Sequence, residues 1–312
     1  MATNPKNAVW PTFIVIGAMR AGTTTLYYDL LNHPQVLMAQ VKEPNFFAFD
    51  GTRTDLPLTH DGVQRLRANS VIDADPYHQL FRGAQGARAV GDVSPAYLYS
   101  SLAARQMRAA VPNLRVIAIL RNPVDRAYSA YLRRANVDPD PFVFVNTAVR
   151  EHKELAQGRK LPLYPLITGG LYSQHLRSYF ELFSPDRRMI CIFETFWVGY
   201  RSALEDIHHF IGVTAIPATE VRSLNRSGVP RWPRLDRVLR SGTKFKDLAK
   251  RYLPDRAVGA LIATKQAIED RTLRASSDLP EAVRSYLVDT YFEADIERLE
   301  DMLNRDLTLW RP

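Results

Sequence analysis

Residues 13–26 read FIVIGAMRAGTTTL, and this stretch decides the fold. The short apolar run FIVIG at 13–17 predicts a buried strand, and Thr23 opens a helical pattern. Between them, Gly17 and Gly22 stand at the G-x-x-x-x-G spacing of a phosphate-binding loop. A strand, a tight loop and a helix in this order aim backbone N–H groups and the positive end of a helix dipole at an anion. The sequence therefore predicts a P-loop-like phosphate site.

This loop lacks the lysine that kinases and ATPases place after the second glycine. Thr23 stands there, and a positive charge is found inside the loop as Arg20. In those enzymes the lysine reaches the β- and γ-phosphates, and the next Ser or Thr holds Mg²⁺. The loop is therefore better suited to a ligand with a 5′-phosphate and no metal. The residues that we expect around that phosphate are Arg20, Ala21, Gly22, Thr23, Thr24 and Thr25.

Other short apolar runs and helical patterns alternate along the chain. Strands are predicted at 13–17, 35–39, 88–92, 115–120 and 189–194, and helices at 23–32, 123–135, 200–212 and 279–303. Such alternation indicates βαβ units and a mainly parallel sheet flanked by helices. We find no internal repeat or clean linker. We therefore expect one α/β domain over 1–312, with irregular insertions at about 136–170 and 215–260.

The composition of the 312 residues, 46% hydrophobic and 24% charged, is that of an ordinary globular protein. The single cysteine, Cys191, allows no disulfide framework, and no long apolar segment suggests targeting or a membrane span. We therefore expect a cytoplasmic protein. The net charge of +8 fits a basic cleft for a small polyanion, nucleic-acid binding or a generally basic surface. Because the charges are spread along the chain, nucleic acid is not expected as a partner. The oligomeric state is not indicated.

A second motif, VIAILRNPVDRAYSAYLRR at 116–134, is also a predicted strand followed directly by a helix. A strand delivers Arg121 to its C-terminal end, where ligands bind in open α/β sheets. Asn122 and Pro123 then start a helix that carries Ser129 two turns further on. A guanidinium and a hydroxyl so placed can hold a second phosphate, although Arg121 could instead pair with an acidic neighbour. The two motifs together predict a nucleoside ligand with a phosphate at each end.

These motifs resemble those of sulfotransferases that use 3′-phosphoadenosine-5′-phosphosulfate (PAPS). GAMRAGTTTL resembles the 5′-phosphosulfate loop of that family, and LRNPVDRAYSAY resembles its 3′-phosphate motif. KEPNFF at 42–47, GLYSQHLRSYF at 170–180 and DIERLEDMLNRDLTLW at 295–310 agree with it, and the similarity is greatest to the heparan-sulfate and related bacterial branch. The resemblance implies direct in-line transfer of a sulfuryl group, without a metal, to a hydroxyl or, as the second choice, an amine. The implied acceptor is a carbohydrate, a glycolipid or a natural product.

The resemblance also implies roles for individual residues. Arg20 occupies the position of the family's usual lysine, which stabilises charge on the departing 5′-phosphate. Glu43 matches the glutamate that serves as the base in the heparan-sulfate branch, whereas Asn45 and Ala48 replace a His and an Asp found in some members. Late in the chain, Arg226 and Arg231 lie where the family has a loop that closes over PAPS.

The acceptor side of the site has several candidate residues. Lys42 could neutralise the sulfuryl group or pair with Glu43, which could also pair with Arg20. Asp92 follows a strand and could orient the acceptor or act as the base instead. Phe46 and Tyr97, with Phe47, Tyr99 and Trp232, could line an acceptor cleft or pack in the core. The tentative substrate-binding residues are Lys42, Asn45, Phe46, Asp92 and Tyr97.

Two other functions remain open at this point. One is a P-loop-type kinase or NTPase, against which the missing G-K-[ST] argues. The other is a protein without catalytic activity that binds polyanions through its positive charge. The seven histidines show no metal-binding pattern: His208 and His209 are neighbours on a helix and diverge in direction.

Overall fold

A five-stranded sheet forms the centre of the protein. The computed structural model describes residues 9–134, 137–161, 164–216, 228–230, 273–275 and 279–312. The strands are β1 (Phe13–Gly17), β2 (Val36–Met38), β3 (Ala89–Val93), β4 (Arg115–Leu120) and β5 (Arg188–Ile192). They lie in the order β2-β3-β1-β4-β5, and every neighbouring pair is parallel. The predicted parallel α/β sheet is confirmed.

Helices connect these strands and flank the sheet. Those before β5 are α1 (Thr23–Leu31), α2 (His60–Ala68), α3 (Ala74–Gln79), α4 (Ser101–Ala110), α5 (Pro123–Leu132), α6 (Pro141–Ala156) and α7 (Tyr172–Leu182). Those after it are α8 (Phe193–Val198), α9 (Tyr200–Ile211), α10 (Glu281–Leu287) and α11 (Glu293–Leu303). A π-helical turn over Val288–Phe292 joins α10 to α11, so the helix predicted at 279–303 is present with a change of pitch. Two short strands, β6 (Gly228–Pro230) and β7 (Leu273–Ala275), pair antiparallel.

The sheet core explains why the strands could be predicted from composition. Every residue of β1 is buried, and β4 is buried from its second residue onward. A strand covered by helices on both faces needs apolar side chains at consecutive positions, which gives runs such as FIVIG and RVIAIL. The bounds predicted for these two strands agree with the structure.

One predicted irregular region is regular in the structure. The expectation of an irregular insertion at 136–170 is wrong, because residues 141–156 form the 16-residue helix α6. Asp140 caps this helix by accepting hydrogen bonds from the N–H groups of Phe142 and Val143, and Pro141 occupies the first turn. Most of the other region, 215–260, lies outside the described residues, and the extent of a single domain over 1–312 stays a prediction.

The order of the strands creates a crevice beside β1. The chain leaves β1 towards β2 on one side of the sheet and later reaches β4 on the other side. In open parallel sheets, ligands bind outside the carboxyl ends of strands at such a reversal. The loop after β1 and Arg121 after β4 both lie at these ends. Within the described residues, no helix is long and apolar enough to cross a membrane.

Candidate active site

The loop between β1 and α1 has the backbone of an anion-binding turn. Gly22 has φ of +82° and occupies the N-cap of α1, where it offers no side chain to the first-turn amides. A β-carbon at Gly22 would lie 2.4 Å from the indole of Trp197. Glycine is therefore required both for the left-handed backbone and for the close approach of the indole. The uncapped start of α1 leaves the helix dipole available to a ligand.

The two predicted phosphate motifs meet in the structure. The Arg20 Nε donates a hydrogen bond to the Ser129 Oγ at 3.0 Å. The Arg121 Nη1 donates to the carbonyl oxygen of Arg20 at 3.1 Å. Arg20 itself has φ of +70°, which is uncommon for a residue with a side chain and is often found at functional sites. Residues about 100 positions apart thus form one positively charged group at the carboxyl ends of β1 and β4.

The guanidinium of Arg121 has a hydrogen-bond donor that the surrounding described residues leave unused. Its Nε is buried and has no hydrogen-bond partner among the described residues. The guanidinium carbon lies 4.7 Å from the ring centroid of Phe193. Burial is the main cause that lowers the pKa of Arg121, while the charges of Asp125 and Glu194 act in the opposite direction. A partly buried cation with a buried, unused donor is costly unless an anion binds it, as a phosphate would.

Aromatic residues of α8 stand beside this cationic group and were not predicted as site residues. Phe193 lies under Arg121, and Trp197 lies against Gly22. The Trp197 ring stacks on that of Tyr200, with centroids 4.6 Å apart, and its indole nitrogen is buried without a partner among the described residues. Flat aromatic faces beside two candidate phosphate-binding groups suit the base of a nucleotide. The FETFW sequence gives no pattern by which these two rings could have been selected.

The residues expected around the 5′-phosphate lie where the loop meets α1. Ala21 is fully buried, Thr23 and Thr25 are buried, and Thr24 is half-buried. The N–H group of Met19 donates to the hydroxyl of Tyr99 at 3.3 Å, which ties the tip of the loop to the segment after β3. The loop is therefore held by side chains from outside the motif.

Glu43 has an exposed carboxylate on a tightly fixed backbone. Its N–H group donates to the carbonyl oxygen of Val93 at 3.0 Å, beside β1, and its φ is +63°. The carboxylate forms an ion pair with Lys42, one of the two pairings left open by the sequence. Asn45, with φ of +52°, donates from its Nδ2 to the carbonyl oxygen of Glu43 at 2.8 Å. Two residues with left-handed backbone therefore hold the carboxylate at the surface.

Asp92 and Tyr97 lie in the interior, and the expectation that they contact the substrate is corrected. Both are fully buried. The Asp92 carboxylate accepts hydrogen bonds from Tyr77, Ser94 and Tyr97, at 3.0, 2.8 and 2.9 Å. Its oxygens are occupied by these hydroxyls, so its surroundings do not support a role as the base. The Ser94 Oγ in turn accepts from the N–H group of Asn45 at 3.2 Å, which links Asp92 to the segment carrying Glu43.

The remaining predicted site residues differ in how exposed they are, and some lie outside the described residues. Phe46 is half-buried and stacks on Tyr77, with ring centroids 4.3 Å apart, so it is partly committed to packing. Asn45 is buried, and its Oδ1 has no partner among the described residues. Arg226 and Arg231, and also Trp232, lie outside the described residues.

Two of the other resemblance stretches meet away from the phosphate groups. The N–H group of Ser173 in GLYSQHLRSYF donates to Asp295 Oδ2, in the C-terminal stretch, at 3.1 Å. The hydroxyl of Tyr172 donates to the carbonyl oxygen of Arg121 at 2.8 Å, and the indole nitrogen of Trp310 donates to Glu194 at 2.9 Å. These stretches therefore stabilise the turn at Arg121 through hydrogen bonds to its backbone and to Glu194.

Comparisons with known proteins agree with this geometry. Residues 11–160 match the model of the Sulfotransferase family. Human bifunctional heparan sulfate N-deacetylase/N-sulfotransferase 3 is 27% identical over 212 residues, which cover 65% of this chain and 22% of that protein. Human carbohydrate sulfotransferase 15 is 25% identical over 288 residues, which cover 74% of this chain and 51% of that protein. The chain thus matches from about a fifth to about half of the length of these two relatives.

Solved structures give the same fold. The sulfotransferase from Alicyclobacillus acidocaldarius has a TM-score of 0.68 at 24% identity, covering 97% of this chain and 100% of that one. The sulfotransferase domain from the curacin biosynthetic pathway has a TM-score of 0.51 at 14% identity, covering 96% and 99%. At these identities the structures establish the architecture alone. The sequence matches show that this chain is similar to sulfotransferases, as the resemblance of its two motifs predicted.

Proposed function

We propose that this protein transfers a sulfuryl group from PAPS to a hydroxyl of a carbohydrate, glycolipid or natural-product acceptor, with an amine as the second choice. The observation that supports this most is the cationic group made by Arg20, Ser129 and Arg121, with the orphaned Arg121 Nε. It lies beside an uncapped helix start and two aromatic rings. That combination fits a nucleotide with phosphates at both ends.

The donor nucleotide would be held from three directions. The amides of the loop and the start of α1, with the hydroxyl of Thr24, would receive the 5′-phosphosulfate. Arg121 and Ser129 would hold the 3′-phosphate, and Phe193 and Trp197 would flank the adenine. Arg226 and Arg231 stay predicted phosphate contacts outside the described residues.

The reaction assigns separate tasks to Glu43 and Arg20. When bound, PAPS supplies the sulfuryl group: the acceptor oxygen bonds to sulfur while the bond from sulfur to the 5′-phosphate oxygen breaks, leaving that electron pair on 3′,5′-diphosphoadenosine (PAP). Glu43 takes the proton of the acceptor hydroxyl, since its carboxylate is exposed and its backbone is fixed. Arg20 stabilises the negative charge that develops on the leaving phosphate. Lys42 brings a second positive charge next to Glu43, where it neutralises sulfuryl oxygens.

We propose that this transfer requires no metal. The positive charge that a metal would supply in a kinase is supplied here by Arg20, Arg121 and the helix start. Among the described residues, no group of three or more His, Cys, Asp or Glu side chains is placed to hold a metal ion. The test is whether excess chelator leaves the rate of sulfuryl transfer unchanged.

The proposed acceptor class is supported by the relatives and by charge. The relatives named above include a carbohydrate sulfotransferase and a heparan sulfate N-sulfotransferase. The net charge of +8 suits an acceptor that itself carries negative charge. We propose that Lys42, Asn45 and Phe46 lie nearest to this acceptor. The proposed location of the reaction is the cytoplasm, where PAPS would be available.

The experiment that tests the function is calorimetric binding of PAP, without metal, to the wild type, Arg121→Ala and Arg105→Ala. Arg105 is an exposed arginine of α4 whose side chain bonds Ser101, so it controls for the loss of one surface charge. We expect wild-type binding, an unchanged control and a loss of about ten- to a hundred-fold in Arg121→Ala, the value of one charge-assisted hydrogen bond.

Two results would favour the other functions instead. Binding of ATP that requires Mg²⁺ and exceeds that of PAP would support a kinase or NTPase. DNA binding with a steep salt dependence, unaffected by PAP, would support a protein that binds polyanions without catalysis.

A further inference from the structure

Tyr164 is a partly buried tyrosine whose hydroxyl oxygen is itself buried and has no hydrogen-bond partner among the described residues. Its backbone is nevertheless fixed, because its carbonyl oxygen accepts from the Arg134 Nη2 at 3.2 Å. The same nitrogen of Arg134 donates to the Glu151 carboxylate at 3.0 Å. An unpartnered buried hydroxyl is uncommon in native proteins and requires an explanation. A ligand that accepts its hydrogen bond would provide one.

Tyr164 lies near both the donor loop, through Tyr99, and the charge of the candidate base Glu43. The Tyr164 ring lies 5.5 Å from that of Tyr99, whose hydroxyl accepts from the N–H group of Met19 in the loop. Burial is the main cause that raises the pKa of Tyr164 above its ordinary value, and the neighbouring Tyr99 and Glu43 add to it. The hydroxyl therefore stays protonated at neutral pH, and it can donate a hydrogen bond.

The proposed reaction indicates which chemical group would lie near the Tyr164 hydroxyl. In the proposed reaction, Arg20 and the loop bind the phosphate side of PAPS, and Glu43 acts on the acceptor. The group that passes between them is the sulfuryl group, whose outer oxygens accept hydrogen bonds and donate none. A fixed neutral donor matches such an oxygen, and it stabilises the group without competing with Glu43 for the acceptor's proton.

We propose that the Tyr164 hydroxyl donates a hydrogen bond to an outer oxygen of the sulfuryl group of PAPS. This inference rests on the proposed function and adds a residue that distinguishes the donor from its product. PAP lacks the sulfuryl group, so Tyr164 contributes to the binding of PAPS and contributes nothing to the binding of PAP. Tyr164 therefore favours exchange of spent PAP for fresh PAPS.

The test compares the affinities of PAPS and PAP by calorimetry for the wild type, Tyr164→Phe and Tyr286→Phe. Tyr286 lies on α10 with an exposed side chain, so it controls for the loss of a tyrosine hydroxyl elsewhere. In Tyr164→Phe we expect PAPS affinity to fall by about five- to ten-fold and PAP affinity to stay within about two-fold. The melting temperature of the nucleotide-free variant should not fall, because the substitution removes an unsatisfied hydroxyl.

Other results would refute either the contact made by Tyr164 or the proposed function. If Tyr164→Phe changes both affinities by one factor, or changes neither, the hydroxyl does not contact the sulfuryl group. Failure of the wild type to bind either nucleotide would instead refute the proposed function.

Discussion

Asp92 should make the stability of this protein depend on pH in an unusual direction. Burial raises the pKa of its carboxyl group from 3.8 to about 6, against the opposing effect of hydrogen bonds from Ser94, Tyr97 and Tyr77. Because the pKa is higher in the folded than in the unfolded state, the folded protein binds the proton more tightly. The contribution to stability is therefore complete below pH 3.8 and is lost as the pH rises through about 6.

The size of this effect follows from the two pKa values. They differ by about two units, and each unit corresponds to about 1.4 kcal/mol, so ionising Asp92 costs about 3 kcal/mol. The residue has no solvent exposure, so screening by water does not reduce this value. Asn at position 92 keeps the shape of the side chain and cannot titrate. The free energy of unfolding of the wild type, relative to Asp92→Asn, should fall by about 2.4 kcal/mol between pH 4 and pH 7, because the unfolded carboxyl group is already more than half ionised at pH 4.

Urea unfolding followed by circular dichroism, at constant ionic strength and half-unit pH steps, measures this difference. Asp61→Asn serves as the matched control, because Asp61 is exposed in the first turn of α2. The reasoning would be refuted if the difference between wild type and Asp92→Asn were independent of pH, or if it rose with pH. Either result would mean that the three hydroxyl donors outweigh burial and keep the carboxylate favourably ionised.

Three further substitutions test the site and its support. Glu43→Gln should abolish sulfuryl transfer from labelled PAPS to any acceptor that the wild type uses, while PAP affinity by calorimetry stays within a few-fold; a fully active variant would exclude Glu43 as the base. Gly22→Ala should lower the free energy of unfolding by about 1–3 kcal/mol and weaken PAP binding, because its β-carbon meets Trp197 and its φ is +82°; unchanged urea unfolding would contradict this. Asn122→Ala should cost about 1–2 kcal/mol in the same assay, since its Oδ1 caps α5 and its Nδ2 donates to the carbonyl oxygen of Trp310; a smaller loss would show that water replaces both contacts.

Local signals in the sequence were sufficient for the sheet and the two phosphate motifs. The strand at 13–17 and the Asn122 cap with Pro123 depend on neighbouring residues, and both are present as predicted. Helix α6 was not predicted, because the prolines and glycines of 136–170 and the weak periodicity of this region favour an irregular chain. In the structure, Pro141 lies in the first turn and Gly158 follows the end of the helix, where both residues are tolerated.

The sequence by itself determined the fold class, the candidate phosphate loop and the arginine that accompanies it, because each is encoded within about twenty residues. Only the tertiary structure decided the environment of each side chain. It buried Asp92 and Tyr97 together, brought Trp197 against Gly22, and left Tyr164 without a partner among the described residues. The burial of a side chain and its hydrogen-bond partners depend on contacts between distant parts of the chain. The spacing of neighbouring residues in the sequence does not predict these contacts.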